Sequence, residues 1–245
     1  VLGCLYFTTR LLGSRPTVSV AAGLMASSFP AFPYLLSFYG NLFPNAMSIA
    51  FLPVWLGLLT DALGLSREPY LRSKAALWVT ILAVTGAMGL AHPSSVVVGL
   101  ALLWIMLLTA WWRMVRHTRP WWFKVLTGVG LVAWLPILQQ IWFAARASQT
   151  ASSWKPHVTE AQALGEALAT VHPNAPHLPW ALVIVVLLGA GTLLRHRSRW
   201  VVGAWAFLVW LYVLVASSRN AELRYDWGGI WYNDVHRILA LIPVV

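Results

Sequence analysis

The chain has 245 residues, of which 59% are hydrophobic and only 10% charged, and its mean hydropathy is +0.70. That excludes an ordinary soluble domain, in which about a quarter of residues carry charge. A net charge of +10 would suggest nucleic acid in a soluble chain, but the bases here sit in short clusters beside apolar runs and never interleave with aromatics on a polar module, so nucleic acid is excluded as a partner.

A helix needs roughly 20 apolar residues to cross about 30 Å of hydrocarbon. On that measure residues 1–13 are the end of one span, and 17–36 return, interrupted by Pro30 and Pro33. A short turn at 38–45 leads into a span at 46–64, and the loop 65–74 precedes a span at 75–91. His92-Pro93-Ser94-Ser95 is a tight turn before the span 95–112, and the loop 113–124 precedes 125–144. The long loop 145–178 follows, then spans at 179–194 and 200–217 around the turn Arg195-His196-Arg197-Ser198-Arg199. After the loop 218–236, residues 237–245 begin another crossing. The fold class is therefore all-α, a polytopic transmembrane helical bundle forming one domain over 1–245, with seven full spans and a partial one at each end. Both ends fall inside apolar runs and no charged leader precedes them, so the expectation is the interior of a longer protein.

Charge sets the direction of these crossings. Basic clusters occupy every second gap: Arg10 and Arg15; Arg67, Arg72 and Lys74; Arg113, Arg116, Arg119 and Lys124; Arg195, Arg197 and Arg199. The other gaps balance Arg146, Lys155, Arg219, Arg224 and Arg237 against Glu160, Glu166, Glu222, Asp226 and Asp234. Because basic flanks resist translocation, the first set is expected to be cytoplasmic and loops 145–178 and 218–236 external, in a multi-pass protein of the plasma membrane.

Several residues have structural readings. The 16 Trp cluster where an interface belt belongs, at Trp111, Trp112, Trp121, Trp122, Trp180 and Trp200. Cys4, the single cysteine, reads as a small buried hydrophobe, and no Cys/His spacing suits a metal, so no cofactor is visible. Asp61, near the end of its span, is expected to pair with a neighbouring base. Gln139 and Gln140 would be costly facing lipid and are expected to face the bundle interior. Within the long loop, Thr159 and Gln162 fit a capping box that opens a short helix at 160–171. Ala161, Leu164, Leu168 and Val171 are its expected apolar face, laid on the membrane surface or over a cavity. His157, His172, His177 and Lys155 show no spacing that argues for metal or catalysis.

The loop 218–236 concentrates polar groups beside aromatics. Asp226 and Asp234 are the candidate catalytic carboxylates, and Trp227, Trp231, Tyr232, Asn233, His236 and Arg237 the candidate substrate-binding residues, with His92 from the 92–95 turn. Aromatics beside carboxylates and amides suit sugar rings, while Arg grips phosphate in two places. Asp234 and Arg237, at i and i+3, can pair on an entering helix. Gly228-Gly229 permits a tight loop that presents backbone amides to an anion. Tyr39, Asn41 and Asn45 lie at the same level as possible cavity walls.

Phe38-Tyr39-Gly40-Asn41-Leu42-Phe43-Pro44-Asn45-Ala46, Ala91-His92-Pro93 and Gly229-Ile230-Trp231-Tyr232-Asn233-Asp234-Val235-His236-Arg237 resemble an actinobacterial polytopic membrane family. Its helical architecture is similar to the GT-C class of glycosyltransferases. The resemblance implies an envelope enzyme that transfers a sugar from a polyprenyl-phosphate donor to a glycan acceptor at the outer face. Its partners would be membrane lipids, the lipid-linked donor and the envelope glycan, and a catalytic acid of that class would fall before Val1. Two other readings compete: a transporter or flippase of a lipid-linked precursor, expected to carry charges deep in its spans and related halves, and a non-catalytic membrane scaffold.

Overall fold

The computed structural model describes residues 1–69, 71, 73–117, 119–171, 178–195 and 198–245. Arg72, His172, His177, His196 and Arg197 lie outside the described residues. Within them the chain is all-helical, with no strand. Inside a bilayer the backbone must satisfy its own polar groups, and helices do so within each segment.

The order begins with α1 (Leu2–Leu12) and α2 (Pro16–Ser28). Phe32 is extended between Pro30 and Pro33, so the turn Pro30–Leu35 and the short α3 (Leu36–Phe38) bend 48° away from α2. Next come α4 (Phe43–Ala62), α5 (Lys74–Ala91), α6 (Pro93–Val115) and α7 (Trp121–Ala144). The short α8 (Glu160–Ala169) precedes α9 (Trp180–Leu194) and α10 (Arg199–Ser217). The chain finishes with α11 (Ala221–Gly228), a 3₁₀ turn at Gly229–Trp231, α12 (Val235–Leu239) and a 3₁₀ turn at Ile242–Val244.

Among the described residues five helices are long and apolar enough to cross a membrane: α4, α5, α6, α7 and α10. The bent pair α2 and Pro30–Phe38 makes a sixth if it is one span. The remaining expected span, 179–194, is a 15-residue helix about 22 Å long at 1.5 Å per residue, short of a full crossing.

The core is built on α4 and α10. Helix α4 packs on α1, α5 and α6, and α10 on α6, α8, α9, α11 and α12. Close approach of α1 and α4 depends on missing side chains. A Cβ on Gly57 would lie 2.6 Å from the Tyr6 ring, and one on Gly3 would lie 2.9 Å from the Ala50 carbonyl oxygen. Small residues serve this purpose where lipid supplies no hydrophobic drive between helices.

Helix α7 is peripheral, with only Trp142 buried. Gln139 and Gln140 are both exposed on it, but Gln139 turns toward a groove shared with α6 and α10, described below, as expected of an amide avoiding lipid. Helix α8 is rotated from expectation. Ala163, Glu166 and Ala167 face α10; of the expected apolar face Val171 is buried and Leu168 half-buried, while Ala161 and Leu164 are exposed. Small side chains let α8 sit close to α10, and a buried polar contact, described below, selects that face.

The two ends of the bundle differ. At one, the Arg67 amide donates to the Arg10 carbonyl (2.9 Å) and Arg10 Nη1 to the Glu68 carbonyl (2.6 Å), joining α1 to the α4–α5 loop in the basic set. At the other, loops 145–159 and 218–234 interlock. Ala147 N–H donates to the Gly229 carbonyl (3.1 Å), Asn233 Nδ2 to Ser152 O (3.1 Å) and Arg224 Nη2 to Trp154 O (2.7 Å). In a Cys4→Ser background, single cysteines at Ser153 and Arg116 are expected to label from opposite sides of intact cells, Ser153 from outside. Labelling of both by the same impermeant reagent would overturn the charge-derived orientation.

Candidate functional site

The less basic end is organised by the chain from 220 to 239. Asn220 Oδ1 accepts from the Leu223 amide at 3.0 Å and opens α11. Arg224 on that helix is buried, with Nε donating to the Val215 carbonyl at 2.8 Å, and acts as a tie between α10, α11 and the 145–159 loop. Gly228 and Gly229 do not form an anion cradle. Gly228 is helical and buried, and a Cβ there would lie 2.7 Å from Asn233 Oδ1 and 2.8 Å from Val215, so its role is close packing. Tyr232 and Asn233 then both turn left-handed, at φ 63° and 60°. That conformation costs a non-glycine residue energy, which hydrogen bonds from the Tyr232, Asn233 and Asp234 amides to Gly229, Gly228 and Trp231 carbonyls offset.

This double reversal aims Asp234 at the start of α12. Its Oδ1 accepts from the His236 amide and from His236 Nδ1, both at 3.0 Å, and its Oδ2 accepts from Arg237 Nε at 3.1 Å. The Asp234 side chain is only 4% exposed, so three donors, one of them the Arg237 cation, replace the water it has lost. His236 stacks on Tyr39, ring centroids 3.8 Å apart, with Trp154 edge-on at 5.9 Å. Burial and the Asp234 carboxylate push the Tyr39 phenol up to about 12, against the opposing pull of Arg237.

Arg237 reaches beyond its own element. Its guanidinium lies 5.0 Å from the Tyr232 ring centre, and Nη1 is 3.5 Å from His92 Nε2. The His92 ring thus stands between the Arg237 guanidinium on its Nε2 side and the start of α6 on its Nδ1 side. Nδ1 accepts from the Ser94 amide at 3.4 Å and lies 2.7 Å from Ser94 Oγ, which in turn faces Asn45 Oδ1 at 3.5 Å. Burial first, and the Arg237 cation second, hold His92 below its ordinary pKa. Residues from 39–45, 92–94 and 234–237 are thereby brought together.

Asp226 and Trp227 belong to a second, adjoining feature. An apolar groove of about 500 Å³ runs between α6, α7 and α10, walled by Trp104, Trp142 and Phe207 and closed at one end by Trp227 and Asp226. Asp226 is 46% exposed at the side chain and pairs with Arg146, whose guanidinium lies over the Phe143 and Tyr225 rings. Trp142 Nε1 donates to the Asp226 carbonyl at 3.0 Å. Trp142 also meets Trp231 edge-on at 5.7 Å, so the groove and the Asp234 network share a wall. Trp231 itself is fully enclosed and has no open face for a sugar ring, whereas Tyr232 is exposed. Asn41 is exposed in a left-handed turn away from these contacts.

Sequence reasoning did not single out Arg146, Trp154, Ser94 or the Glu166 cluster. Glu166, buried on α8, accepts from Tyr212 Oη at 2.8 Å and from Gln162 Nε2 at 3.3 Å, with His157 Nε2 at 3.5 Å. That contact explains the rotation of α8. Thr159 caps the helix by accepting from the Gln162 amide, but the Gln162 side chain turns to Glu166 instead of closing the box. Burial lowers the His157 pKa against the opposing pull of Glu166. Two of these contacts join distant parts of the sequence: Arg146 and Asp226 are 80 positions apart and Tyr212 and Glu166 are 46 apart.

The chain matches a family of unknown function (DUF6541) over residues 1–245 and belongs to that family. No curated protein and no solved structure matches it.

Two expectations follow from the network. Removing the Asp234 carboxylate takes from Arg237 its counter-ion in a largely buried place, so Asp234→Ala should cost about 3 kcal/mol of stability, read as a lower unfolding midpoint in detergent. The depressed pKa values of His92 and His157 mean that the unfolded chain binds protons first as pH falls. Stability is therefore full above the unfolded value of about 6.5 and declines below it. The unfolding midpoint should drop between pH 6.5 and 5, and less steeply in His92→Gln with His157→Gln.

Proposed function

We propose that this member of the family is an envelope glycosyltransferase of the GT-C type. It takes a sugar from a polyprenyl-phosphate donor at the outer face of the plasma membrane and passes it to a glycan hydroxyl. One observation carries the reading: an apolar groove of about 500 Å³ on a membrane-type bundle ends at a half-exposed carboxylate paired with an arginine. A prenyl chain needs an apolar channel that opens toward lipid, and its phosphate needs a cation where that channel meets water.

The two Asp–Arg pairs divide the work. The Asp234–Arg237 pair is buried and held by several donors, so it serves as the frame that fixes Tyr39, His92 and Tyr232. The Asp226–Arg146 pair is open, and an exposed ion pair is worth only about 0–1 kcal/mol, so a ligand can exchange with it. The donor phosphate takes Arg146 in a bidentate grip. Asp226, freed from its partner and beside a new anion, becomes more basic, because a like charge disfavours the carboxylate.

In the transfer step Asp226 accepts the proton of the acceptor hydroxyl as its oxygen attacks the anomeric carbon. The bond from that carbon to the phosphate oxygen breaks, and the polyprenyl phosphate leaves with the electron pair, stabilised by Arg146. Trp227, at the groove end, is the aromatic placed to meet the sugar, and Tyr232 is the exposed ring on the adjoining frame.

A second reading, a scaffold subunit, is favoured by the uncovered face of α7. The two separate in one experiment. Membranes carrying the protein are incubated with radiolabelled polyprenyl-phosphate sugars, and transfer to envelope glycan is measured. Asp226→Asn should lower transfer at least about a hundredfold while donor binding persists, and Arg146→Gln should weaken donor binding about tenfold. A folded Asp226→Asn protein that transfers at the parental rate overturns the catalytic assignment. Failure of every such donor to photocrosslink in the α6–α7 groove favours the scaffold.

A further inference from the structure

At the basic end, a cavity of about 780 Å³ lies among the ends of α1, α4, α6 and α9 and the start of α10. Arg67 and Arg113 stand in its wall with the hydroxyl residues Ser66 and Ser198, and no carboxylate lines it. The nearest acid in sequence, Glu68, is engaged elsewhere, its Oε2 accepting from Ser14 Oγ at 3.0 Å. Helix α10 starts at Ser198 without a side-chain cap, so the positive end of a 19-residue helix adds to the two guanidinium groups.

The cavity is not a closed polar pocket. Gly189 and Leu193 of α9 line it and also line an apolar cleft of about 290 Å³ between α2, α9 and α10, walled by Val185, Val201 and Trp205. The shortness of α9 accounts for the space. At about 22 Å it ends before the full depth of a hydrocarbon core, and the side chains of its last two turns include Gly189 and Gly191, beside which a Cβ would meet nothing within 4 Å. Topology alone requires bases at this end. It does not require them to wall a cavity that continues into an apolar cleft.

We propose that this end of the bundle binds a phosphate-bearing diacyl lipid of the inner leaflet, with the phosphate between Arg67 and Arg113 and an acyl chain in the α9–α10 cleft. Arginine matches phosphate oxygens with paired donors, and basic pockets between membrane helices on the cytoplasmic side are where anionic headgroups settle. The site lies opposite the groove of the proposed transfer reaction and stands without it. Its physical role is to fill a crossing that α9 leaves incomplete.

The test uses the purified full chain in a mild detergent, titrated with phosphatidylglycerol or phosphatidylcholine, with bound lipid counted by native mass spectrometry. Phosphatidylglycerol should bind at least about tenfold more tightly than phosphatidylcholine, a preference that Arg67→Gln with Arg113→Gln removes. Gly189→Leu places a side chain in open space, improves helix propensity and blocks the junction, so it should weaken both lipids in a protein that still folds. Inorganic phosphate at about 10 mM, well under the physiological ionic strength of about 0.15 M and so without general screening, should displace neither. A double Arg variant with native circular dichroism that keeps the parental preference overturns the headgroup site. Unchanged binding in Gly189→Leu overturns the chain path, and displacement by inorganic phosphate alone makes the ligand a soluble anion and overturns the lipid assignment.

Discussion

The Asp234 carboxylate is the contact on which one end of the bundle depends. It caps α12, orients the His236 ring and aims the Arg237 guanidinium, all through three hydrogen bonds of 3.0–3.1 Å. Through His236 it reaches Tyr39 at the start of the chain, and through Arg237 it reaches His92 at the α5–α6 turn. Segments nearly 200 positions apart are thus tied to one anion. Such a site tolerates little change, since a buried charge with a partner removed costs far more than the pair contributes. The left-handed Tyr232 and Asn233 are part of the same constraint, because without that reversal the carboxylate would not point at its donors.

The crossings were legible because bilayer thickness imposes a length on every apolar run. Residues 74–91, 93–115 and 121–144 could hardly be anything else. The Asp234–Arg237 pairing was legible for a local reason, since i,i+3 neighbours share a helix face. What escaped was whatever depended on rotation or distance. The hydrophobic pattern of 160–171 set Glu166 off the packed face, yet Tyr212 offers it a hydroxyl, and a buried carboxylate so satisfied turns that side of α8 toward α10. Of the two amides on α7, Gln139 faces the groove as its cost in lipid predicts, while the place of Gln140 depends on what packs around α7, a property of the whole bundle. Arg146 carried no signal at all toward Asp226. Trp231 looked like a binding residue because it stands among polar groups in sequence, but the 3₁₀ turn rotates it inward against Trp142.

The two ends reflect one electrostatic rule with different outcomes. At the basic end, guanidinium groups lean on backbone carbonyls, as Arg10 does on Glu68 and Arg67 on Leu12. Carbonyls at loop ends can accept those bonds without adding negative charge, so the end keeps its surplus. At the opposite end two cations pair with carboxylates, Arg146 with Asp226 and Arg237 with Asp234, while buried Arg224 is held by the Val215 and Trp154 carbonyls. Neutral ends move across a membrane more readily than basic ones, and pairing within the fold gives the exposed loops their structure. The asymmetry that sets orientation is therefore also the asymmetry that makes one end a network of ion pairs and the other a basin of positive charge.

Helix α7 shows how the groove comes to exist. Lipid is as apolar as a leucine, so helices in a bilayer are not driven together by burial, and polar contacts have to fasten them. Indole N–H groups do so here. Trp111 Nε1 donates to the Lys124 carbonyl at 3.2 Å, and Trp104 Nε1 to the Leu131 carbonyl at 3.2 Å. Gly128 lets the Trp111 ring approach, since a Cβ there would lie 3.1 Å from it. At the other end Trp142 Nε1 holds the Asp226 carbonyl and Arg146 holds the Asp226 carboxylate. Between the Trp104 and Trp142 fasteners no indole bond closes the gap toward α10, and the groove opens there. One residue, Asp226, thus supplies both acceptors that secure the far end of α7, one from its backbone and one from its side chain. A ligand that draws Arg146 away removes the second and leaves the first, so the groove keeps its wall while its mouth is released.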